Sequence, residues 1–166
     1  MITIAHVLVG GAVGVVTGNP LAALVAGTAS HFAMDLIPHL DHPPYAPKDK
    51  KGDVIFSQAI YVQAFCDVII AATIVCILWY SWFDFSTLHP FAWGAFGGFL
   101  PDLIDNVPFW NKPFRKSWFG SRFHRFHDAI HHVWTKTFPM HRYWLLGILT
   151  QVVAVVIAWN VLKNYV

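Results

Sequence analysis

The sequence predicts an all-α, polytopic membrane protein of about five transmembrane or re-entrant helices, with an amphipathic helix at the membrane surface. Of the 166 residues, 56% are hydrophobic and only 12% are charged, which is about half the charged fraction of an ordinary soluble domain. The apolar residues also fall into five long runs. The length suits one domain, so we expect residues 1–166 to form a single integral membrane domain.

The five apolar runs differ in their ability to cross a membrane. The third and the fifth are long enough to span about 30 Å of hydrocarbon, whereas the other three are marginal. In chain order, the runs cover residues 2–17, 20–38, 57–83, 89–107 and 142–163.

Small residues mark the first, second and fourth runs. The Gly18-Asn19-Pro20 turn predicts that the first two runs form a tight helical hairpin. Small side chains recur at every fourth position on both of its helices, a pattern that lets helix backbones approach closely in lipid. The fourth run contains several glycines and Pro101, so we expect a kinked or re-entrant helix there.

The basic residues indicate the orientation of the chain. They concentrate after the second run and between the fourth and fifth runs, and five spans place both loops on the side of the N-terminus. The positive-inside rule makes that side cytoplasmic. We therefore expect a multi-pass protein of the inner or plasma membrane, with cytoplasmic segments at 39–56 and 108–141. The net charge of only +2 gives no indication of nucleic-acid binding.

Ionisable residues inside the apolar runs fall in their cytoplasmic halves. Each costs ~3 kcal/mol or more in hydrocarbon on insertion scales, so a set at one depth must satisfy one another, bind an ion or line a wet cavity. Imidazole and carboxylate groups suit zinc, manganese or iron. We therefore predict a divalent metal site, with its ligands drawn from His6, His31, Asp35, His39, Asp67, Asp102 and Asp105.

A structural role is the alternative for each of these residues taken alone, as a hydrogen-bonded group at a helix end. Their spacing favours a shared site for the set. His31 and Asp35 are four residues apart and face the same way on a helix, and Asp102 and Asp105 are three apart. Asp41 lies in the polar stretch that follows, where we expect a hydrated and dispensable carboxylate.

The stretch FHRFHDAIHHVW, residues 123–134, predicts an amphipathic helix on the cytoplasmic interface. His124, His127, Asp128 and His131 share one face, and apolar residues take the opposite one. These histidines either face water without a role or contact a metal or substrate. A polar face made of histidines, where Lys and Glu are ordinary, favours the second interpretation, with His124 and His127 as further metal ligands.

Two segments of the chain resemble each other. HFAMDLIPH, residues 31–39, aligns without gaps with GFLPDLIDN, residues 98–106, and the alignment matches Asp35 with Asp102. This similarity indicates an internal duplication of a helical hairpin. A site between two such halves is a natural arrangement.

Together, the N-terminal histidine, the SHFAMDLIPHLDH motif, the GGFLPDLIDN segment and the His-rich helix resemble the small inner-membrane family of predicted membrane-bound metal-dependent hydrolases. The resemblance covers most of residues 1–132. This chain lacks a clean Thr-His-Ser motif after the second carboxylate pair, so the histidines of the 123–134 helix would take its place. The resemblance implies as metal ligands His6, His31, Asp35, Asp102 and Asp105.

Two functions remain open at this point. The first is a metal-dependent hydrolase that acts at the cytoplasmic interface on a lipid-linked, phosphoryl or acyl substrate, with Asp35, Asp102 and His131 as candidate catalytic residues. The second is a non-enzymatic membrane protein that handles metal or protons, or a small subunit of a larger assembly. Haem held by His6 and His31 is a third option. The bilayer is the expected partner in each case, and an oligomer is compatible with all of them.

Overall fold

A computed structural model describes residues 1–40, 57–81, 85–133 and 142–165. Within these residues the protein is all-helical, as the sequence predicts, with seven α-helices and no strand. Asp41 lies outside the described residues, as do most of the 39–56 segment and part of the 108–141 segment. The helices are α1 (Thr3–Thr17), α2 (Pro20–Asp35), α3 (Gln58–Ser81), α4 (Phe85–Asp105), α5 (Asn111–Lys116), α6 (Trp118–His131) and α7 (Trp144–Leu162), followed by a 3₁₀ turn at Lys163–Tyr165.

Two helices, α3 and α7, are long and apolar enough to cross a membrane. The qualifying stretches, Gln58–Tyr80 and Trp144–Tyr165, have 23 and 22 residues, which corresponds to roughly 33–35 Å of helix. Both turn most of their surface outward. With 15 and 16 residues, α1 and α2 are shorter than the hydrocarbon thickness of about 30 Å. Helix length and composition therefore do not confirm the expected five spans.

The α1–α2 hairpin forms as its turn sequence predicts. Gly18 ends α1 with a φ of 62°, a left-handed conformation that glycine adopts without steric cost. Asn19 then caps α2, because its side-chain oxygen accepts hydrogen bonds from the backbone N–H groups of Leu21 and Ala22, both at 3.0 Å. Pro20 occupies the first turn of α2. Backbone N–H groups there have no partner within the helix, so the N–H that proline lacks is not missed.

Glycines bring the backbones of α1, α2 and α4 together in a central bundle. A side-chain carbon on Gly10 or on Gly27 would collide with the carbonyl oxygen of Gly94. A side-chain carbon on Gly98 would collide with the carbonyl oxygen of His6. The small residues therefore lie at helix–helix contacts, which is the packing that their spacing predicts.

The fourth helix is continuous. It runs from Phe85 to Asp105 with Pro90 and Pro101 inside it, so it is not interrupted as a re-entrant segment would be, and the kinked alternative stays a prediction. Its glycines face α1 and α2 instead of breaking the helix. Fully buried Phe91 lies against Gly11 of α1 in the same contact.

The last helix supports the beginning of α1 and the segment after α2. The side-chain oxygen of Gln151 accepts a hydrogen bond from the backbone N–H of Ile2 at 2.9 Å, and its amide nitrogen donates to the carbonyl oxygen of Leu40 at 3.1 Å. The hydroxyl of Thr150 donates to the carbonyl oxygen of Pro38 at 2.6 Å. These bonds fix residues 36–40 against α7.

The predicted amphipathic helix is present as α6 and lies against α2 and α4. Ser117 caps it by accepting a hydrogen bond from the backbone N–H of Gly120 at 2.9 Å. Part of its aromatic side packs on the protein, because the ring of Phe32 contacts those of Phe123 and Phe126. Trp118 and its neighbours remain exposed. The histidine side of α6 is turned toward the ends of α2 and α4.

The two halves suggested by the internal similarity pack differently. α1 and α2 contact each other along their length, whereas α3 contacts α4 at only a few positions and touches α1 instead. The second pair is therefore not a copy of the first hairpin within the described residues. An open space is left between α3 and α4.

We expect Gly94→Ala to destabilise the protein. The added methyl group collides with the carbonyl oxygen of Gly10, and overpacking of this kind costs roughly 1–3 kcal/mol, more than the gain in helix propensity of about 1 kcal/mol. The thermal unfolding midpoint of the purified protein in detergent, followed by circular dichroism, should fall. Ala29→Leu is the control, since it adds more volume at an exposed position of α2. An unchanged midpoint for Gly94→Ala would contradict the close helix contact.

Candidate metal centre

Four side chains from two helices meet at the cytoplasmic end of α2, as the sequence orients it. Their ligand atoms all lie within 4.8 Å of one another. The Oδ2 atom of Asp35 is 3.0 Å from Nε2 of His31, 3.0 Å from Nε2 of His131 and 3.5 Å from Nε2 of His127. We call His31, Asp35, His127 and His131 the four-donor cluster.

Helix geometry places these four donors in pairs. His31 and Asp35 are four residues apart on the last turns of α2, and His127 and His131 are four residues apart on α6. Residues at this spacing project from the same face, one turn above the other. Because α6 lies across the end of α2, the two faces oppose each other. His31, Asp35 and His127 are fully buried, and the side chain of His131 is 19% exposed.

The outer nitrogens of two histidines are held by acceptors on α4. Nδ1 of His31 lies 2.8 Å from the carbonyl oxygen of Gly98, and Nδ1 of His127 lies 3.2 Å from Oδ2 of Asp105. A carbonyl oxygen and a carboxylate only accept, so we assign the ring proton of each neutral histidine to Nδ1. This tautomer leaves a lone pair on each Nε2, directed into the cluster.

Those lone pairs face one another without a proton between them. Nε2 of His31 is 3.1 Å from Nε2 of His127, which is 3.2 Å from Nε2 of His131. Two lone pairs at this distance repel unless a cation lies between them. Oδ2 of Asp35 is also buried and has no hydrogen-bond partner among the described residues. A shared cation satisfies all four donors at once.

The donor spacing fits a metal ion. Ligands at the 2.0–2.1 Å bond lengths typical of zinc stand roughly 3.3 Å apart in a tetrahedral site. Five of the six distances within the four-donor cluster range from 3.0 to 3.5 Å, and the sixth, between His31 and His131, is at most 4.8 Å. The buried histidine and aspartate groups are therefore compatible with metal binding.

His6 lies on the other side of Asp35. Its ring stacks on that of His31 with a centroid distance of 4.0 Å, and its Nε2 is 3.1 Å from Oδ1 of Asp35. The orientation does not make a hydrogen bond, and both ring nitrogens of His6 are buried without a hydrogen-bond partner among the described residues. Nε2 of His39 and the Met1 amino group also approach Oδ1, at 3.9 and 3.4 Å. The two oxygens of Asp35 thus face different groups.

Asp102 flanks the four-donor cluster on its more exposed side. Its Oδ1 is 3.9 Å from Nε2 of His31 and 3.7 Å from Nε2 of His127, and its side chain is 19% exposed. The side-chain amide of Asn106 donates a hydrogen bond to this oxygen at 2.7 Å. Asp102 also forms a second group of three donors with His6 and His31. Because His31 offers one Nε2, the two groups share that donor.

Asp105 and His124 form a layer outside the cluster. The Asp105 carboxylate accepts from Nδ1 of His124 at 2.9 Å and from Nε of Arg115 at 2.8 Å, besides its contact with His127. Burial raises the pKa of Asp105, but the hydrogen bonds from His124 and Arg115 outweigh it and keep the pKa below its usual range. Asp105 therefore orients His127 as a charged acceptor, the position that a carboxylate takes behind a metal-bound histidine.

The sequence prediction for Asp67 finds no support in the described contacts. Its Oδ2 accepts a hydrogen bond from the backbone N–H of Thr3, and Asp67 belongs to neither group of donors. The carboxylate thus serves the first turn of α1, whose N–H groups have no partner within the helix. Residue number gives the depth of Asp67 along α3 but not the direction in which its side chain projects.

The geometry also argues against haem. The rings of His6 and His31 are stacked at 4.0 Å, whereas two axial ligands must stand on opposite faces of a macrocycle with room for it between them. The sequence interpretation also missed Arg115 and the carbonyl oxygen of Gly98. Arg115 lies ten residues after Asp105, and turns separate the two, so the sequence does not show that their side chains meet. The Gly98 acceptor is a backbone carbonyl, which every residue has, so the residue type does not indicate it.

Comparison with models of known protein families, with curated proteins and with solved structures gave no match. The family resemblance therefore stays a prediction that rests on the motifs themselves.

We expect Asp105→Asn to weaken metal binding without removing a ligand. The amide lacks the charge that holds Nδ1 of His127, and loss of such an outer partner typically costs ~10–100-fold in metal affinity. Zinc affinity of the untagged protein, measured by competition with a chromogenic chelator, should fall by that factor. Asp128→Asn is the matched control, because Asp128 is exposed and lies 3.3 Å from His132 on the outer side of α6. Equal losses in both variants would show a nonspecific charge effect.

Proposed function

We propose that this protein is a membrane-embedded, metal-dependent hydrolase that acts at the cytoplasmic interface on a lipid-linked substrate with a phosphoryl or acyl group. The observation that carries the proposal is the four-donor cluster, where three imidazole Nε2 atoms and one buried carboxylate oxygen converge within 4.8 Å of one another, and where the Nε2 atoms of His31 and His127 face each other. Intramembrane ionisable groups in such a set are functional by default.

The donor set favours zinc, with manganese and iron as alternatives. Imidazole ligands suit zinc and iron, while each carboxylate added to the set improves the match to manganese. Three imidazoles with a single carboxylate are a nitrogen-rich set. The tetrahedral spacing of the donors also matches the coordination that zinc prefers.

Each residue of the site then has a chemical role. His31, Asp35, His127 and His131 would hold a divalent ion. Such an ion would supply an activated water and polarise a phosphoryl or carbonyl oxygen. Asp102 stands beside the four donors on the exposed side and serves as the general base that takes a proton from the attacking water. Hydrolysis transfers the water oxygen to the substrate phosphorus or carbon and releases an alcohol.

A non-enzymatic metal-binding protein is the second candidate, and one observation favours it. Four protein donors close a tetrahedral zinc site, which is typical of structural sites, whereas catalytic sites keep a position for water. A hydrolase would need room for water beside a bound ion. His131 is the most exposed of the four donors, with 19% of its side chain accessible, so water would reach the cluster there.

The proposal places the site at the cytoplasmic side of the inner or plasma membrane. In this proposal α3 and α7 cross the bilayer, and α4 and the shorter α1 and α2 are held between or beside them. α6 covers the cluster from the cytoplasm, with Arg122 and Arg125 exposed on its outer surface. Basic side chains next to exposed aromatic ones suit an interface with anionic headgroups.

The activity is tested on untagged protein purified without chelator. We expect about one zinc ion per chain, as one tetrahedral site requires, and zinc-dependent hydrolysis of at least one of three chromogenic substrates: a phosphodiester, a phosphomonoester and an acyl ester. Asp35→Asn should lose both metal and activity. Asp102→Asn should keep its metal and lose activity by ~10²-fold or more, the usual contribution of a general base.

The exposed Asp128→Asn variant should keep both metal and activity. Metal in the wild type without hydrolysis of any substrate would favour the non-enzymatic protein. Absence of metal from the wild type would overturn both candidates.

The orientation is tested by cysteine labelling after both native cysteines, which are exposed, have been replaced by serine. We expect Ser86→Cys at the start of α4 to react with a membrane-impermeant maleimide on intact cells. Arg125→Cys on α6 should react only after permeabilisation, because the positive-inside rule puts this basic segment in the cytoplasm. The reverse pattern would invert the topology, and external labelling of both would remove α6 from the cytoplasmic side.

A further inference from the structure

An apolar groove lies between α1, α3 and α4, where α3 diverges from α4. Its volume is about 230 Å³, below the ~300–1,000 Å³ of pockets that take drug-sized ligands. Valine, alanine and phenylalanine side chains form nearly all of its wall, and Thr3 at one end carries the only hydroxyl. A space of this size and lining fits a slender apolar chain better than a polar metabolite or a ring system.

The groove has the length of one lipid tail. Along α3 its wall extends from Val68 to Trp79, eleven residues further along the helix, or about 16 Å. This is close to half of the ~30 Å hydrocarbon thickness, and so to the depth of one leaflet. α3 itself qualifies as a membrane span and is mostly unburied, and Ala72, Trp79 and Phe96 at the groove are exposed. The groove therefore opens toward the hydrocarbon.

One end of the groove lies next to the four-donor cluster. Thr3 is one turn before His6 on α1, and Phe99 follows Gly98, whose carbonyl oxygen binds His31. On α4, Ala95, Phe99 and Asp102 are spaced at i, i+4 and i+7 and share one face. The apolar wall thus continues directly into the carboxylate that flanks the cluster. The opposite end, at Trp79 and Ala92, is at the far side of the bundle.

We propose that this groove binds one acyl chain of a membrane phospholipid and that the headgroup of the same lipid reaches the four-donor cluster. The position of the headgroup rests on the proposed hydrolase function, whereas chain binding rests on the groove alone. The protein presents a polar cluster at one end of an apolar groove. A phospholipid has the same order, with a polar headgroup followed by an apolar chain of leaflet length. The substrate class is therefore a phospholipid with at least one long acyl chain.

The test uses phosphatidylglycerol with a photoreactive diazirine in one acyl chain, incorporated into nanodiscs with the full-length protein. Crosslinks mapped by mass spectrometry should concentrate on the groove residues Val68, Val75 and Phe96. Ala72→Trp fills the groove from its exposed edge, and crosslinking at these residues should fall about tenfold. Ala64→Trp is the matched control, since Ala64 is exposed on the same helix and lies outside the groove wall; it should crosslink like the wild type.

Two results would overturn the assignment of the groove: crosslinks spread evenly over the outer faces of α3 and α7, or equal crosslinking of the Ala72→Trp and Ala64→Trp variants. The two proposals fail separately. Asp35→Asn removes the metal site without touching the groove, so it should crosslink normally. If the protein has no metal and no activity but shows groove-specific crosslinks, the lipid site stands and the hydrolase proposal fails. If it has metal and activity but no groove-specific crosslinks, only the hydrolase proposal stands.

Discussion

The close approach of α4 to α1 and α2 is the constraint on which the rest of the structure depends. At Gly94 and Gly98 the backbones meet with no side chain between them. Apolar side chains supply little driving force between helices in lipid, so van der Waals contact at this distance is what holds such helices together. The contact also fixes the depth of each helix. If α4 slid by one turn, the polar ends of the helices would no longer meet.

One face of α4 organises the site as a consequence. Gly98, Asp102 and Asp105 are spaced at i, i+4 and i+7 and project from the same side of the helix. The first holds His31 by its carbonyl oxygen, the last holds His127 by its carboxylate, and the middle one flanks the cluster. A carbonyl oxygen has two lone pairs, so the Gly98 carbonyl can accept from an imidazole without leaving the helix ladder. Histidines from two different helices are thereby oriented by a third.

The sequence predicts most of the helices and much of the cluster, because both depend on local spacing. The pairing of His31 with Asp35, and of the α6 histidines with each other, follows from helical spacing alone. The roles of Asp67 and Asp105 depend on how the helices pack, because residue number gives the depth of a side chain along its helix but not its direction relative to other helices. Asp67 turns to the first turn of α1. Asp105 stands behind a histidine and not beside the cluster because Arg115 and His124 hold it there.

The charges of the groups around the cluster bear on which ligand it could hold. Asp105 is compensated by the guanidinium of Arg115 at 2.8 Å. The Met1 amino group lies 3.4 Å from Oδ1 of Asp35, and the Asn106 amide donates to Oδ1 of Asp102. Oδ2 of Asp35 faces histidines alone, and the Nδ1 contacts of His31 and His127 leave their Nε2 atoms as acceptors. A buried carboxylate oxygen beside imidazole lone pairs favours a cation between them. A single cation held among Nε2 of His31, Nε2 of His127 and Oδ2 of Asp35 would satisfy these acceptors together, so the charge and the direction of the donor atoms are both compatible with metal binding.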